Sequence, residues 1–118
     1  MKTIHKDHNG VFVLAYDAET SGCKEGHSYA VAVPVKDSTE VKYHVLQFQD
    51  GPIQEAGTNG ITNEALLAVL IDRLGLLNKK FPCRENSIVI TKLEESLMWL
   101  EKRTKDRIAR GVEGQNKA

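Results

Sequence analysis

Arg103 and Arg107 stand four residues apart. From Lys102 to Arg110 the chain carries five basic residues against one acid, Asp106. A guanidinium is planar, stays protonated and offers several donors in a fixed fork, so it matches phosphate oxygens in pairs. On a helix this like-charge pair repels slightly. The segment therefore has two readings: a solvated basic helix end suited to the negative C-terminal dipole, or an anion site. Catalytic constellations are poor by comparison. His5 and His8 fall near a terminus expected to be disordered, His27 and His44 fall in strands, and none belongs to a Cys or Asp pattern with metal-ligand spacing. Glu94 and Glu95 are adjacent on a solvated helix face and point in different directions, which does not suit paired acid–base work. Cys83 sits at a helix start, where a thiol pKa can fall, or serves as a small buried residue. Gly57 and Gly60 before a helix outline a phosphate loop but lack its Lys and its spacing. Arg cannot act as a general base near neutral pH. The residues offer no catalytic set, and no catalytic residue, metal or cofactor is expected.

The element that must position the arginines is a long helix. Residues 88–110 contain no Gly or Pro; Pro82 stands where a first helical residue would, and Gly111 where a stop would. About seven turns span roughly 40 Å, against about 35 Å for a globule of this chain length, so the helix crosses the molecule or projects from it. At 100° per residue Ile90, Leu93, Leu97, Leu100, Thr104 and Ile108 form an apolar stripe, with polar Asn86 in line with it. A neighbouring strip carries Lys92, Ser96, Trp99, Arg103, Arg107 and Arg110. Its partly apolar character predicts a homo-oligomer, at least a dimer.

Before this helix, Thr62 is an N-cap and Glu64 lies in the first turn of a helix whose residues 65–77 are apolar almost all round, which predicts burial on both sides. Residues 50–60 form a glycine-rich loop. Residues 11–16 and 27–35 read as strands, residues 36–40 as a hairpin turn, and residues 41–48 as a third strand with a bulge where the apolar parity switches. Residues 17–26 read as a mobile connection. The fold class is α+β: a small N-terminal antiparallel sheet of about three strands, then a two-helix hairpin with a long last helix. It is read as one domain, 1–118, with residues 1–50 as the sheet part and 62–111 as the part that oligomerises and binds ligand.

Lys plus Arg equals Asp plus Glu at 16 each, which argues against a general nucleic-acid binder. The two cysteines form neither a disulfide framework nor a zinc set. The start has no apolar signal core, and the longest apolar run, residues 65–71, is too short to span a membrane. A cytoplasmic protein without membrane contact is expected.

Two runs then carry a resemblance: Gly51-Pro52-Ile53-Gln54-Glu55-Ala56-Gly57-Thr58-Asn59-Gly60, continuing to residue 68, and Phe81-Pro82-Cys83-Arg84-Glu85-Asn86. Together with residues 71–74, 91–100 and 110–114, they resemble the type-one Thoeris anti-defence sponge family of phages. The hairpin also resembles that of the phage anti-CBASS sponge. The match covers about half the chain; the first forty residues lie outside it. The resemblance implies a phage protein, acting in the cytoplasm of an infected bacterium, that sequesters an immune signal. That signal is a cyclic ADP-ribose isomer made by TIR-domain enzymes. Some relatives also bind cyclic di- or trinucleotides at separate sites in a hexamer. Arg103 and Arg107 suit the pyrophosphate of such a ligand. Phe81 offers a ring for the base, or plugs the core. Asn86 either satisfies a helix end or, as the resemblance implies, binds ribose or base. Arg84 is a further candidate for the same pocket, or is solvated. Asn86 and Arg103 lie roughly 25 Å apart along one helix, so one protomer cannot hold a small ligand with both. Two long helices packed antiparallel across a two-fold axis would bring Phe81 and Asn86 of one copy to Arg103 and Arg107 of the other, giving two pockets per dimer. The competing reading is a small inhibitor that binds a host protein or nucleic acid through its basic helix.

Overall fold

In the computed structural model, which describes residues 1–117, the chain runs β1 (Lys2–Lys6), β2 (Phe12–Ala15), α1 (Ala18–Ser21), β3 (Ser28–Pro34), β4 (Val41–Gln47), α2 (Ile53–Ala56), α3 (Asn63–Lys80) and α4 (Arg84–Ala109). The fold is α+β as predicted. It comprises two compact units: Met1–Asp50 with Thr58–Ile61, and Gly51–Gly57 with the chain from Thr62 onward.

The first unit is an antiparallel sheet in the order β1-β2-β3-β4. Ala30 sits between Leu14 and Val45, and Ala32 between Phe12 and Tyr43. Cross-strand partners share a face, so each small alanine is flanked by larger side chains, and both alanines are fully buried. The β3–β4 turn forms where the sequence places it: Asp37 takes a left-handed φ of 58°, and the Val35 N–H donates to the Glu40 carbonyl at 3.1 Å.

The sheet has four strands rather than three. Residues 2–6 are polar apart from Ile4 and show no alternation, so side-chain pattern gives no strand signal. Backbone pairing to β2 makes them an exposed edge strand, which places His5 in the sheet rather than in a disordered terminus. The turn that returns the chain is built by Asp7, whose Oδ1 accepts the Asn9 and Val11 N–H groups at 2.8 and 3.1 Å. The one register shift among the strand pairs lies between Thr3 and His5; β4 pairs with β3 without the expected bulge, and Phe48 leaves it to form a parallel bridge with Ile61. That bridge explains Gly60. A Cβ there would lie 2.5 Å from the Phe48 carbonyl carbon, so the glycine serves close backbone approach, not a phosphate loop. Residues 17–26 contain α1, capped by Asp17.

In the second unit α3 packs along α4. The shielded positions of α4 are Asn86, Ile90, Leu93, Leu97, Leu100, Thr104 and Arg107, alternating four and three residues apart as in a narrow helix–helix seam. Leu67, Ile71, Leu74 and Asn78 repeat that spacing on α3 and are half-buried. The seam keeps the predicted stripe from Ile90 to Thr104; beyond it Ile108 is exposed, and Arg107 is shielded instead by the chain that follows the helix. Burying a Leu or Ile fully contributes about 1.5–3 kcal/mol; half-burial yields roughly half of that. No α3 residue is buried, contrary to the expectation of cover on both sides, and Val69, Leu70, Leu76 and Leu77 are exposed.

The connection between the helices is short. Asn78 Oδ1 accepts the Cys83 N–H at 3.0 Å and its Nδ2 donates to Ser87 Oγ at 3.1 Å. The α4 N-cap is Cys83, whose Sγ accepts the Asn86 N–H at 3.4 Å, so Pro82 lies before the cap rather than in the first turn. At the far end Gly111 has φ 73°, its N–H bonds the Ile108 carbonyl at 3.0 Å, and the Val112 N–H bonds the Arg107 carbonyl at 3.0 Å. This is a Schellman stop on the predicted glycine.

Candidate functional site

The last three turns of α4 carry an open groove of about 250 Å³, lined by Trp99, Lys102, Arg103, Asp106, Arg107 and Arg110. Four of the six lining residues are cationic. Lys102 and Asp106 pair at 2.8 Å, both exposed, a contact that contributes about 0.3–0.5 kcal/mol. Arg103 is exposed and has no hydrogen bond or ion pair among the described residues, so its full fork is presented to solvent.

Arg107 lies in a different setting. It is only 5% exposed. Its Nε donates to Glu113 Oε2 at 3.1 Å, its Nη2 to the Val112 and Gln115 carbonyls at 3.0 and 2.8 Å, and its Nη1 to the Lys117 carbonyl. Four donor contacts thus bind the C-terminal segment, and Glu113 supplies the counter-charge that a buried guanidinium requires. Gln54 of α2 fastens the same segment: its Nε2 donates to the Glu113 carbonyl at 2.8 Å and its backbone N–H to the Gly114 carbonyl at 2.9 Å. Sequence reasoning placed Arg107 beside Arg103 as an equal and missed this anchoring role. The signal for it was Gly111 and Gly114, which let the chain turn back, around an acid six residues after the arginine.

The other candidates sit at the opposite end of the hairpin. Phe81 caps α3, donates its N–H to the Leu77 carbonyl at 2.9 Å and leaves its ring 74% exposed. Arg84 is the exposed first residue of α4, and Asn86 is half-buried two residues on. Because α4 is continuous, seventeen residues separate Asn86 from Arg103 by about 25 Å. The chain brings Phe81, Arg84 and Asn86 together at one end and Arg103 and Arg107 together at the other.

Trp99, which the sequence reading assigned only to an association strip, is 67% exposed and also lines a second hollow, of about 330 Å³, with Met98. On the sheet unit, His27 Nε2 and Lys24 Nζ each lie 3.6 Å from Asp50 Oδ1. No group of three or more metal-ligating side chains is found among the described residues.

These features define a class: an α+β protein whose helical hairpin carries an open basic groove at one end. The family model described as "Acb2/Tad1, hairpin domain" matches residues 43–105, just over half of the chain, and the chain belongs to that family. The matched stretch contains Phe81, Arg84, Asn86 and Arg103 and ends two residues before Arg107. Over 83 residues the chain is 54% identical to "Thoeris anti-defense 1" of Bacillus phage SBSphiJ7. That match covers 70% of this chain and 58% of the relative, so the chain spans less than two thirds of the relative's length.

Proposed function

We propose that this protein serves phage anti-defence by binding and sequestering a nucleotide immune signal of the host without degrading it. The unpaired Arg103 in a groove shared with Lys102, Arg107 and Arg110 carries this reading. Such a site suits a diphosphate or cyclic phosphate. Family membership and the relative's name support the anti-Thoeris context and, with it, a cyclic ADP-ribose isomer made by TIR-domain enzymes as the ligand. Cyclic oligonucleotides are a second ligand class for the same protein.

Arg103 is the direct phosphate contact. Arg107 adds charge and a wall to the groove, and reaches a phosphate only where the carbonyls of residues 112–117 yield. Phe81 and Asn86, with Arg84 beside them, complete the pocket from a second copy whose α4 runs antiparallel. The exposed Val69, Leu70, Leu76 and Leu77 on α3, with Ile88 and Val89 on α4, support association, because apolar patches of this kind usually meet a partner. Tight ground-state binding gives affinity without acceleration, so capacity is stoichiometric.

The test is calorimetry against a panel of cyclic nucleotides, followed by heat denaturation of the saturated protein and chromatography of the supernatant. About one intact ligand per protomer is expected. Cleaved product accumulating beyond the number of sites would mean an enzyme. Weak, strongly salt-dependent uptake of any polyanion would mean a nucleic-acid binder instead.

A further inference from the structure

Tryptophan combines a large apolar face with a single donor, and is highly buried on average. Trp99 is 67% exposed, makes no hydrogen bond among the described residues, and stands at the head of the basic groove. It is the one residue type in that lining able to offer a flat aromatic face. Trp99, Arg103 and Arg107 follow at four-residue steps on one side of α4, so each is one turn from the next. The rise per turn is about 5.4 Å, comparable to the reach of a ribose between its base and its phosphate. Lys102 and Asp106, which flank the indole, are tied to each other, leaving the aromatic face and the Arg103 fork as adjacent, unoccupied recognition surfaces.

We infer that Trp99 is the stacking platform for the base of a nucleotide whose phosphates lie on Arg103, and so the residue that restricts the groove to base-bearing phosphates. This rests on the sequestration reading above and deepens it. Continuity favours a base as the occupant. The indole lines the cationic groove itself, and a nucleotide is the ligand that carries a flat aromatic ring one ribose away from its negative charge. In the antiparallel pairing, Trp99 lies one turn nearer the two-fold axis than Arg103 and walls the inner side of each pocket. Stacking on an aromatic side chain tolerates different bases, because every base has a π-face. The same platform would therefore accept adenine from a cyclic ADP-ribose or a base of a cyclic oligonucleotide.

The chain contains a single tryptophan, so its emission reports on this position alone. The full chain is titrated with cyclic ADP-ribose and, separately, with inorganic pyrophosphate, and the Trp99→Ala and Trp99→Phe variants are measured by calorimetry alongside light scattering. Cyclic ADP-ribose is expected to quench the emission and pyrophosphate to leave it nearly unchanged. Trp99→Ala is expected to weaken cyclic ADP-ribose about 5- to 150-fold while pyrophosphate binds as in the parent, and Trp99→Phe to recover most of the loss. Cyclic ADP-ribose binding without a change in emission, with Trp99→Ala equal to the parent, would overturn the inference and leave the sequestration reading standing. Equal loss of both probes, with the variant turned monomeric, would also overturn it, making Trp99 a contact between copies only. If neither these probes nor any cyclic nucleotide of the calorimetry panel binds the parent, the sequestration reading itself falls.

Discussion

Two arginines of one type, one turn apart, are set to different tasks by what surrounds them. Arg103 has no partner among the described residues, whereas Arg107 holds Glu113 and three carbonyls at 5% exposure. Arg103→Ala is expected to leave the melting temperature near the parent's and weaken nucleotide binding by tenfold or more, since a charge-assisted bond contributes about 1.5–3 kcal/mol. Arg107→Ala strands the tail's acceptors and is expected to lose about 1–3 kcal/mol of stability, with faster amide exchange over residues 112–117. Thermal unfolding and calorimetry on both variants separate the roles; a folded Arg107→Ala with an unchanged tail would contradict the anchoring. Asp17 is a residue-scale case on the sheet unit. The Thr20 hydroxyl and then the Thr20 N–H, at 2.7 and 2.8 Å, lower its pKa to about 2 from 3.8. A folded pKa below the unfolded one contributes stability that is present above about pH 4 and lost as pH falls toward 2. Asp17→Asn should therefore flatten that part of a melting-temperature profile between pH 2 and 5.

At the scale of elements, the hairpin depends on a narrow seam and a short connection. Asn78 is the hinge of that connection, bonding both the Cys83 N–H and the Ser87 hydroxyl. Asn78→Ala leaves the Cys83 N–H without its acceptor and is expected to destabilise the hairpin by about 1 kcal/mol, a drop of roughly 4 °C in melting temperature. Circular dichroism melts measure it; a loss confined to the α3–α4 turn in amide exchange would locate it. The long α4 also fixes the spacing of the two candidate half-sites, because a continuous helix cannot fold Asn86 onto Arg103.

For the whole molecule, the thin interior is the main fact. Among the described residues only Ala30, Ala32 and Arg107 are buried, and no large side chain is fully enclosed. A single copy therefore leaves much of its apolar surface in water, which predicts association. Light scattering at micromolar concentration should show at least a dimer. Leu76→Glu and Val69→Glu, at positions exposed in one chain, should shift the protein toward monomer with helicity kept and nucleotide affinity lost. A monomeric parent would remove the interfacial pocket.

What the chain determined locally was legible without the fold. The Thr62 cap, the Gly111 stop, the turn at residues 36–40 and the stripe from Ile90 to Thr104 follow from periodicity and from capping chemistry, and each stands in the structure. β1 was not legible, because its identity comes from backbone pairing with β2 and not from its own side chains. Nor was the reason for Gly60, which lies in the Phe48 carbonyl beside it. The separation of Arg103 from Arg107 in role also needed tertiary structure. Both sit on the same strip of one helix, and only the return of residues 112–117 over α4 buries one guanidinium and leaves the other open.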